Sequence, residues 1–386
     1  MFLYISFLRP PPVAISLTGS ISITPQISND LRTEPFAGSQ DIYYSWSQDS
    51  SDATSRSQAT AVKLTTYRAN SAYKAITIRP PHGARAGQSW RLILGAQASG
   101  TAHIIDLIGS KVGLEPLPVM SMPIMFGQGS GSGGHKQEQI ERVYRMAARG
   151  DTGKMIIREQ TSFDLDKKIW DSGIGLSSWI LDLYAGPASE NHPELRNVLF
   201  SPGKTNILEL GAGTGILALT IGTLRPSPTS DLHDDTGTIF TTDLASAMPL
   251  LEHNISANAH LFAKSESAPA NGCQPRAAVL DWDEDLPAEI RALNGGIDAI
   301  VMADVTYNTS SFPALIATLD SLRHSNTTQN LPAPVVLLGY KERDQEERTL
   351  WTLAREIDLD FERVGERKGC GGQEVEVWVG RWTRSS

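Results

Sequence analysis

The feature that most constrains the fold is a series of short, almost wholly apolar runs in the C-terminal half of the chain. Five of them alternate with stretches of helical or loop character, and they cover residues 205–210, 236–243, 276–282, 297–304 and 334–342. Strands that are apolar at nearly every position suit a sheet covered on both faces, and their alternation with helices favours a doubly wound α/β sheet. The chain then ends in FERVGER and EVEVWVGRW, which are joined by KGCGGQ and indicate a hairpin. We therefore predict a Rossmann-like, seven-stranded, mostly parallel sheet with an antiparallel hairpin at its end.

The N-terminal third is harder to interpret. Residues 61–69, 74–80 and 89–97 have the composition of β-strands, whereas the Ser-rich residues 40–60 predict a loop or a disordered insert. We expect an irregular, β-containing region here.

A Gly/Ser-rich stretch, GQGSGSGGHK at residues 127–136, has the composition of a flexible linker. It predicts a boundary between a variable N-terminal region, 1–135, and a second domain, 136–386.

After this boundary, residues 136–150 predict a helix that ends at Gly150, and residues 152–160 predict a strand. Further on, residues 341–356 mix charges of both signs at helical spacing, which predicts a solvated helix face.

Composition narrows the class of protein. A net charge of −9 argues against nucleic-acid binding as the main activity, because neutralising phosphates requires a basic surface. Two cysteines and eight histidines without metal-ligand spacing predict no disulfide framework and no metal site. No stretch is long and apolar enough for a membrane span. We expect a soluble, monomeric protein in the cytoplasm, with the nucleus as the alternative location.

The first apolar run continues into a glycine turn, ILELGAGTGILAL at residues 207–219. Gly211, Gly213 and Gly215 lie between a strand and a helix, where glycines allow a tight turn and a close approach of the backbone to a ligand. The dinucleotide fingerprint requires its third glycine at Ile216. The observed G-x-G-x-G spacing instead favours S-adenosylmethionine, although a glycine turn without a ligand stays open.

Acidic and aromatic residues end the next two runs. Asp243 ends the second run, where a carboxylate can accept hydrogen bonds from both hydroxyls of an adenosine ribose. The alternative is that Asp243 caps a helix starting at Leu244. Asp281 and Trp282 end the third run, where an adenine could bind, and packing of Trp282 in the core is the alternative.

Taken together, several segments resemble the seven-β-strand protein-lysine methyltransferases of methyltransferase family 16. The resemblance covers residues 161–381, and its motifs are IWDSGIGLSSWIL, the glycine turn, TTDLASAMPLLEHNI, AAVLDWDED and ADVTYN, the last of which fits the family's D-x-x-Y signature. Within the family, the chain looks most like fungal ribosomal lysine methyltransferases, and elongation-factor enzymes are close. The resemblance implies S-adenosyl-L-methionine as cofactor. It implies a cofactor site lined by Trp170, Glu209, Gly211, Ala212, Gly213, Asp243, Leu244, Asp281, Trp282 and Ala303, with Asp304 and Tyr307 at the catalytic position.

Lysine chemistry gives the last two residues a role. At neutral pH the ε-amine of lysine is almost wholly protonated, so the site must allow a proton to leave before the nitrogen can attack a methyl group. Asp304, at the end of the fourth run, could orient the amine, and Tyr307 could wall the channel. The alternative is that Asp304 caps a helix beginning near Ser310 and that Tyr307 only packs.

We therefore predict a methyltransferase that acts on lysine in a protein substrate, either a ribosomal protein or a translation factor. A small-molecule or non-lysine acceptor, or a catalytically silent binding scaffold, are the alternatives. Ile216 disfavours a dinucleotide-dependent oxidoreductase.

Overall fold

The computed structural model describes most of the chain. The described residues are 1–49, 60–71, 73–99, 101, 103–109, 112–127, 135–146, 153–162, 165–186, 188–200, 205–225, 237–262 and 273–383.

Two β-sheets occupy the N-terminal part of the described chain. Their strands are β1 (Tyr4–Arg9), β2 (Ala14–Ser16), β3 (Ile21–Ser28), β4 (Ser39–Gln48), β5 (Val62–Arg68), β6 (Ile76–Ile78), β7 (Ser89–Gly95), β8 (Ile104–Asp106), β9 (Val119–Ser121), β10 (Ile124–Gly127), β11 (Gln139–Arg145) and β12 (Lys154–Gln160). The smaller sheet has the order β1-β3-β6. The larger sheet has nine strands, with β12-β11-β9-β7-β10-β2 as its path, β4 between β5 and β7, and β8 beside β11. The predicted β content is confirmed, and the region is more regular than expected.

The predicted helix over residues 136–150 is wrong, because residues 139–145 form β11, which pairs with β12. The charged residues Glu141 and Arg142 of this strand are buried, and both form ion pairs with the neighbouring strand β12. Arg142 Nε lies 2.8 Å from a carboxylate oxygen of Glu159, and Glu141 pairs with Arg158 at 2.9 Å. Cross-strand charge pairs of this kind stabilise a sheet, and they give a buried strand a polar sequence.

The Ser-rich insert is also partly wrong, since Ser39–Gln48 is a strand and residues 50–59 lie outside the described residues. Residues 128–134 of the predicted linker lie outside them as well. The division into 1–135 and 136–386 stays a prediction. Strand β11, which follows residue 135, pairs with β9, which precedes it.

The C-terminal part contains the predicted α/β sheet. Its strands are β13 (Ile207–Leu210), β14 (Ile239–Asp243), β15 (Arg276–Val279), β16 (Ala299–Ala303), β17 (Val335–Tyr340), β18 (Leu359–Lys368) and β19 (Glu374–Trp382). The helices are α1 (Asp171–Ala185), α2 (Ala188–Asn191), α3 (Pro193–Phe200), α4 (Ile216–Leu224), α5 (Met248–Ala257), α6 (Ala288–Arg291), α7 (Phe312–Thr328) and α8 (Thr349–Glu356).

The sheet order β15-β14-β13-β16-β17-β19-β18 confirms the prediction of a seven-stranded sheet. Strands β13 to β17 are parallel to one another, and β19 is antiparallel to both β17 and β18. Helices α1, α4 and α5 share one apolar core with the sheet, and α6, α7 and α8 share a second core, so that both faces are covered. Among the described residues, none of the helices is long and apolar enough to cross a membrane.

The N-terminal sheets pack directly against this α/β unit. Phe2, Tyr144 and Met155 belong to the same apolar core as α1 and α4. The buried Asn254 side chain of α5 hydrogen-bonds the backbone N–H and carbonyl of Arg158 in β12, with distances of 2.9 and 3.1 Å. The two parts of the chain therefore share a continuous core.

Candidate active site

A cavity of about 1040 Å³, measured with its open mouth, lies at the carboxyl ends of β13, β14 and β16. Open α/β sheets bind ligands in this crevice, where the strand order reverses beside the first strand. All twelve residues predicted for the site line this cavity: Trp170, Glu209, Gly211, Ala212, Gly213, Asp243, Leu244, Asp281, Trp282, Ala303, Asp304 and Tyr307. The structure thus brings them together, while the role of each stays a prediction.

The floor of the cavity is the glycine turn. Gly211, Gly213 and Gly215 all have positive φ angles, of 65°, 53° and 79°, a region that side chains disfavour. A Cβ atom added to Gly211 would lie 2.9 Å from Val305 Cγ1 and 3.5 Å from the indole ring of Trp282. The turn therefore needs glycine both for its conformation and for the space above it.

Asp243 lies beside the turn at the end of β14. Its Oδ2 accepts a hydrogen bond from the N–H of Gly213, and its Oδ1 accepts one from the N–H of Leu244, both at 2.7 Å. The following helix, α5, begins at Met248 and has Ala247 as its N-cap, so the capping alternative is wrong. Burial raises the pKa of Asp243. Each oxygen keeps lone pairs for a further donor such as a ribose hydroxyl.

Glu209 is buried beneath the turn. Its Oε2 accepts a hydrogen bond of 2.6 Å from the hydroxyl of Thr241 in the neighbouring strand. Burial raises the pKa of Glu209 to about 8. At neutral pH this side chain is therefore largely a neutral acid that can donate a hydrogen bond.

Aromatic rings form much of the wall. The rings of Trp170 and Tyr307 are stacked at 6.4 Å with an angle of 5° between their planes. Tyr307 is 50% exposed, which places it at the mouth. Trp282 lines the cavity and also packs against the core beneath α7, so its packing leaves part of the ring facing the cavity, and its contact with an adenine stays a prediction.

Asp304 has an unusual backbone conformation and a firmly held side chain. It follows β16 with a φ angle of +56°, which a residue other than glycine adopts only when its surroundings hold it there. Its Oδ2 accepts a hydrogen bond of 2.7 Å from the N–H of Ser172, and its Oδ1 lies 2.6 Å from Nη1 of Arg343. Asn308, not Asp304, caps the short helix that follows, so the capping alternative is wrong.

Charged residues beyond the predicted set support this wall. Arg343 and Lys168 lie over the ring of Trp170, with Arg343 Cζ 5.1 Å and Lys168 Nζ 4.3 Å from the ring centroid. Burial lowers the pKa of Lys168 to about 8. For Arg343 burial acts in the same direction, but the charges of Asp304 and Asp30 outweigh it and raise the pKa.

Sequence reasoning missed Arg343 and the nearby Lys341, which is buried, because both fell in a segment interpreted as a solvated helix face. One signal was available. The two residues lie three and one positions after the end of β17, whose parallel neighbour β16 ends beside Asp304, so the topology brings them to the same edge of the sheet.

Fold and site together define a seven-β-strand methyltransferase. The sheet has a glycine turn after β13, a carboxylate at the end of β14, and an antiparallel hairpin of β18 and β19 at its edge. The chain belongs to the lysine methyltransferase family, whose sequence profile matches residues 150–356. The methyl donor of this family is S-adenosyl-L-methionine.

Three relatives are similar to part of this chain. A UPF0665 family protein of Schizosaccharomyces pombe is 29% identical over 54% of this chain and 52% of its own length. The protein-lysine N-methyltransferase EFM6 of Saccharomyces cerevisiae is 28% identical over 50% of this chain and 70% of its own. The EEF1A lysine methyltransferase 3 of Mus musculus is 27% identical over 40% of this chain and 50% of its own. The chain thus spans about half the length of the first and third of these relatives.

Proposed function

We propose that this protein transfers a methyl group from S-adenosyl-L-methionine to the ε-amine of a lysine in a translation factor. The observation that carries the proposal is the placement of the glycine turn, Asp243 and the Asp304–Tyr307 pair around one cavity. The family supports the reaction type, and two relatives, named a protein-lysine N-methyltransferase and an EEF1A lysine methyltransferase, support the substrate class.

The residues present fit the cofactor. The space above Gly211, which a Cβ atom would fill, lies against Trp282, where an adenine ring can stack. Asp243 can accept hydrogen bonds from the ribose hydroxyls, and Trp170 can cover the methionine portion. When bound, S-adenosylmethionine supplies an electrophilic methyl group on a cationic sulfur.

The chain's own residues would align the acceptor and remove water from it. In-line displacement needs a neutral amine held at the methyl group, which alignment and a dry channel both favour. Asp304 can accept a hydrogen bond from the amine with the lone pairs that Ser172 and Arg343 leave free. The stacked rings of Trp170 and Tyr307 can flank the aliphatic stem of the lysine.

Purified protein should be incubated with methyl-labelled S-adenosylmethionine and, separately, with elongation factor 1A and with ribosomes, followed by mass spectrometry of the labelled peptides. We expect label on lysine in the elongation factor. The Asp304→Asn variant should lose at least about tenfold in rate, equivalent to about 1.4 kcal/mol. The control, Asp360→Asn, alters an exposed carboxylate that pairs with Arg355 and should behave as wild type.

The alternatives give different results. Label on ribosomal proteins alone would show that the substrate is a ribosomal protein and not a translation factor. Label only in small molecules would refute a protein acceptor. If S-adenosylhomocysteine did not bind in calorimetry, the enzyme assignment itself would fail and a binding scaffold would be favoured.

We further propose a cytoplasmic location and a monomeric state. A translation-factor substrate supports the location. The two cysteines form no disulfide, which suits a reducing compartment; Cys370 is exposed and Cys273 is half-buried. Fluorescence microscopy of the tagged protein and sedimentation of the purified protein test the two statements.

A further inference from the structure

A carboxylate from the N-terminal part of the chain reaches the candidate active site. Asp30 lies just after β3, and its side chain is completely buried. Its Oδ1 is 3.0 Å from Nζ of Lys341, and its Oδ2 is 2.8 Å from Nη2 of Arg343. Asp30 therefore pairs with the two cations that follow the fifth strand of the α/β sheet.

Arg343 links Asp30 to Asp304. One terminal nitrogen of its guanidinium, Nη2, pairs with Asp30, while the other, Nη1, lies 2.6 Å from Oδ1 of Asp304. A guanidinium is a rigid planar fork, so fixing one nitrogen fixes the direction of the other. The position of Asp30 thus sets the direction from which Arg343 approaches Asp304.

The same residue also supports the second contact of Asp304. Oδ2 of Asp30 accepts a 3.4 Å hydrogen bond from the N–H of Asp171, whose chain neighbour Ser172 donates to Oδ2 of Asp304. Lys341 pairs with Asp171 at 2.8 Å as well as with Asp30. Asp30 therefore contacts Arg343, which pairs with Asp304, and also Asp171, the chain neighbour of the Ser172 N–H that donates to Asp304.

The backbone of Asp30 completes this arrangement. Its carbonyl accepts a hydrogen bond of 3.1 Å from Nζ of Lys168, the buried lysine that lies over the ring of Trp170. One residue of the N-terminal part thus contacts the supports of both the acidic group and the aromatic wall of the site.

We infer that Asp30 is a positioning residue for Asp304, and that the N-terminal β-region thereby completes the methyltransferase site. The inference rests on the proposed function, in which Asp304 orients the acceptor amine. Without the charge of Asp30, Arg343 is left with Asp304 as its carboxylate partner and can turn both terminal nitrogens toward it. Such a fork occupies the lone pairs that would otherwise accept a hydrogen bond from the amine.

The test is the nearly isosteric variant Asp30→Asn, which keeps the shape and removes the charge. We expect kcat for the protein substrate to fall at least tenfold, while the Kd for S-adenosylhomocysteine changes less than twofold. The matched control is Asp41→Asn, which removes a carboxylate from the same N-terminal part where it pairs with Lys63 at 2.8 Å on the surface. This variant should retain the wild-type kcat. A wild-type kcat in Asp30→Asn would overturn the inference.

A double-mutant cycle separates positioning from a loss of general stability. If Asp30 acts through Arg343, adding Asp30→Asn to Arg343→Gln should lower kcat no further than Arg343→Gln does alone. Independent, additive losses would overturn the inference. Should Asp30→Asn fail to fold, Arg343→Lys serves instead, because a single ammonium cannot reproduce the fork between two carboxylates. A wild-type kcat in that variant would equally overturn the inference.

A crystal structure of Asp30→Asn makes the outcome independent of the substrate. We expect the Asp304 carboxylate to leave Ser172 or to be gripped by both terminal nitrogens of Arg343, and an unchanged Asp304 would overturn the inference. A wild-type protein that methylates no lysine would refute the proposed function, and the structure would still decide whether Asp30 positions Asp304.

Discussion

Replacing Gly211 by alanine tests whether the glycine turn is shaped for a ligand. The residue has a φ angle of +65°, and a Cβ atom there would lie 2.9 Å from Val305 Cγ1. Carbon atoms in favourable contact are about 3.5–4.0 Å apart, so the turn and Val305 must separate by about 0.6 Å or more. Val305 is buried in the core beneath α7, which leaves it little room to retreat. The strain should therefore move the turn toward Trp282 and narrow the cavity.

Two energetic effects are combined in this variant, and a second glycine separates them. The left-handed conformation alone costs alanine about 1–2 kcal/mol. Gly372, in the hairpin between β18 and β19, has a φ angle of +85° and no atom within 4 Å of an added Cβ. Gly372→Ala should therefore lose about 1–2 kcal/mol in the free energy of unfolding and keep its ligand affinity. Gly211→Ala should lose more stability, and its affinity should fall at least about tenfold, or about 1.4 kcal/mol.

Calorimetric titration with S-adenosylhomocysteine and urea denaturation measure the two quantities. We expect a large difference in affinity between the two variants and a smaller difference in stability. If Gly211→Ala bound S-adenosylhomocysteine as tightly as Gly372→Ala, the turn would not be the floor of the cofactor site.

Three further predictions concern the wall, the buried acid and the contact between the two parts of the chain. Tyr307→Phe keeps the ring that stacks on Trp170 and should bind S-adenosylhomocysteine as wild type, whereas Tyr307→Ala should bind it about threefold to tenfold more weakly in calorimetry. The folded protein holds the proton of Glu209 more tightly than the unfolded chain, with a pKa raised from 4.5 to about 8, so this stabilisation is fully present below pH 4.5 and is lost as the pH rises to about 8. Glu209→Gln should therefore flatten the decline of the unfolding free energy over that range, by up to about 1.4 kcal/mol per pH unit in urea denaturation, and an unchanged slope would contradict the raised pKa. Asn254→Ala should cost about 3 kcal/mol in the same assay, because it removes the partner of two partly buried backbone groups of Arg158 and of the buried carbonyl of Thr214. A loss under about 1 kcal/mol would show that this contact is not part of the shared core.

The α/β half of the fold was predictable because its signal is local. Four of its five parallel strands are apolar along most of their length, the fifth, β14, begins with two apolar residues, and the hairpin between β18 and β19 carries a glycine-rich connection. The site followed from the same signal. Gly211, Asp243, Trp282 and Asp304 each lie at or soon after the end of a parallel strand, and such ends meet at one edge of the sheet.

The N-terminal errors have a different origin. Strand β11 carries Glu141 and Arg142 side by side, and six of the ten residues of β4 are polar, of which Ser45 and Ser47 are buried. Both patterns are typical of solvated segments when they are considered alone. Their burial depends on partners such as Glu159 and Arg158, which another strand supplies. Propensity over a short window contains no information about that strand, because tertiary contacts decide the outcome.

The ion pairs behind Asp304 show the same limit more sharply. A buried charge is tolerated only when a partner of opposite sign lies within reach, so the burial of Lys341, Arg343 and Asp30 is one property shared among them. Asp30 and Arg343 are 313 residues apart, and nothing in either local sequence indicates the other. The local sequence around each cation predicts a surface position. Both cations are instead covered because the N-terminal strands pack against the α/β unit. A residue that acts through such a pair is therefore the kind of functional residue that motif spacing within one domain cannot find.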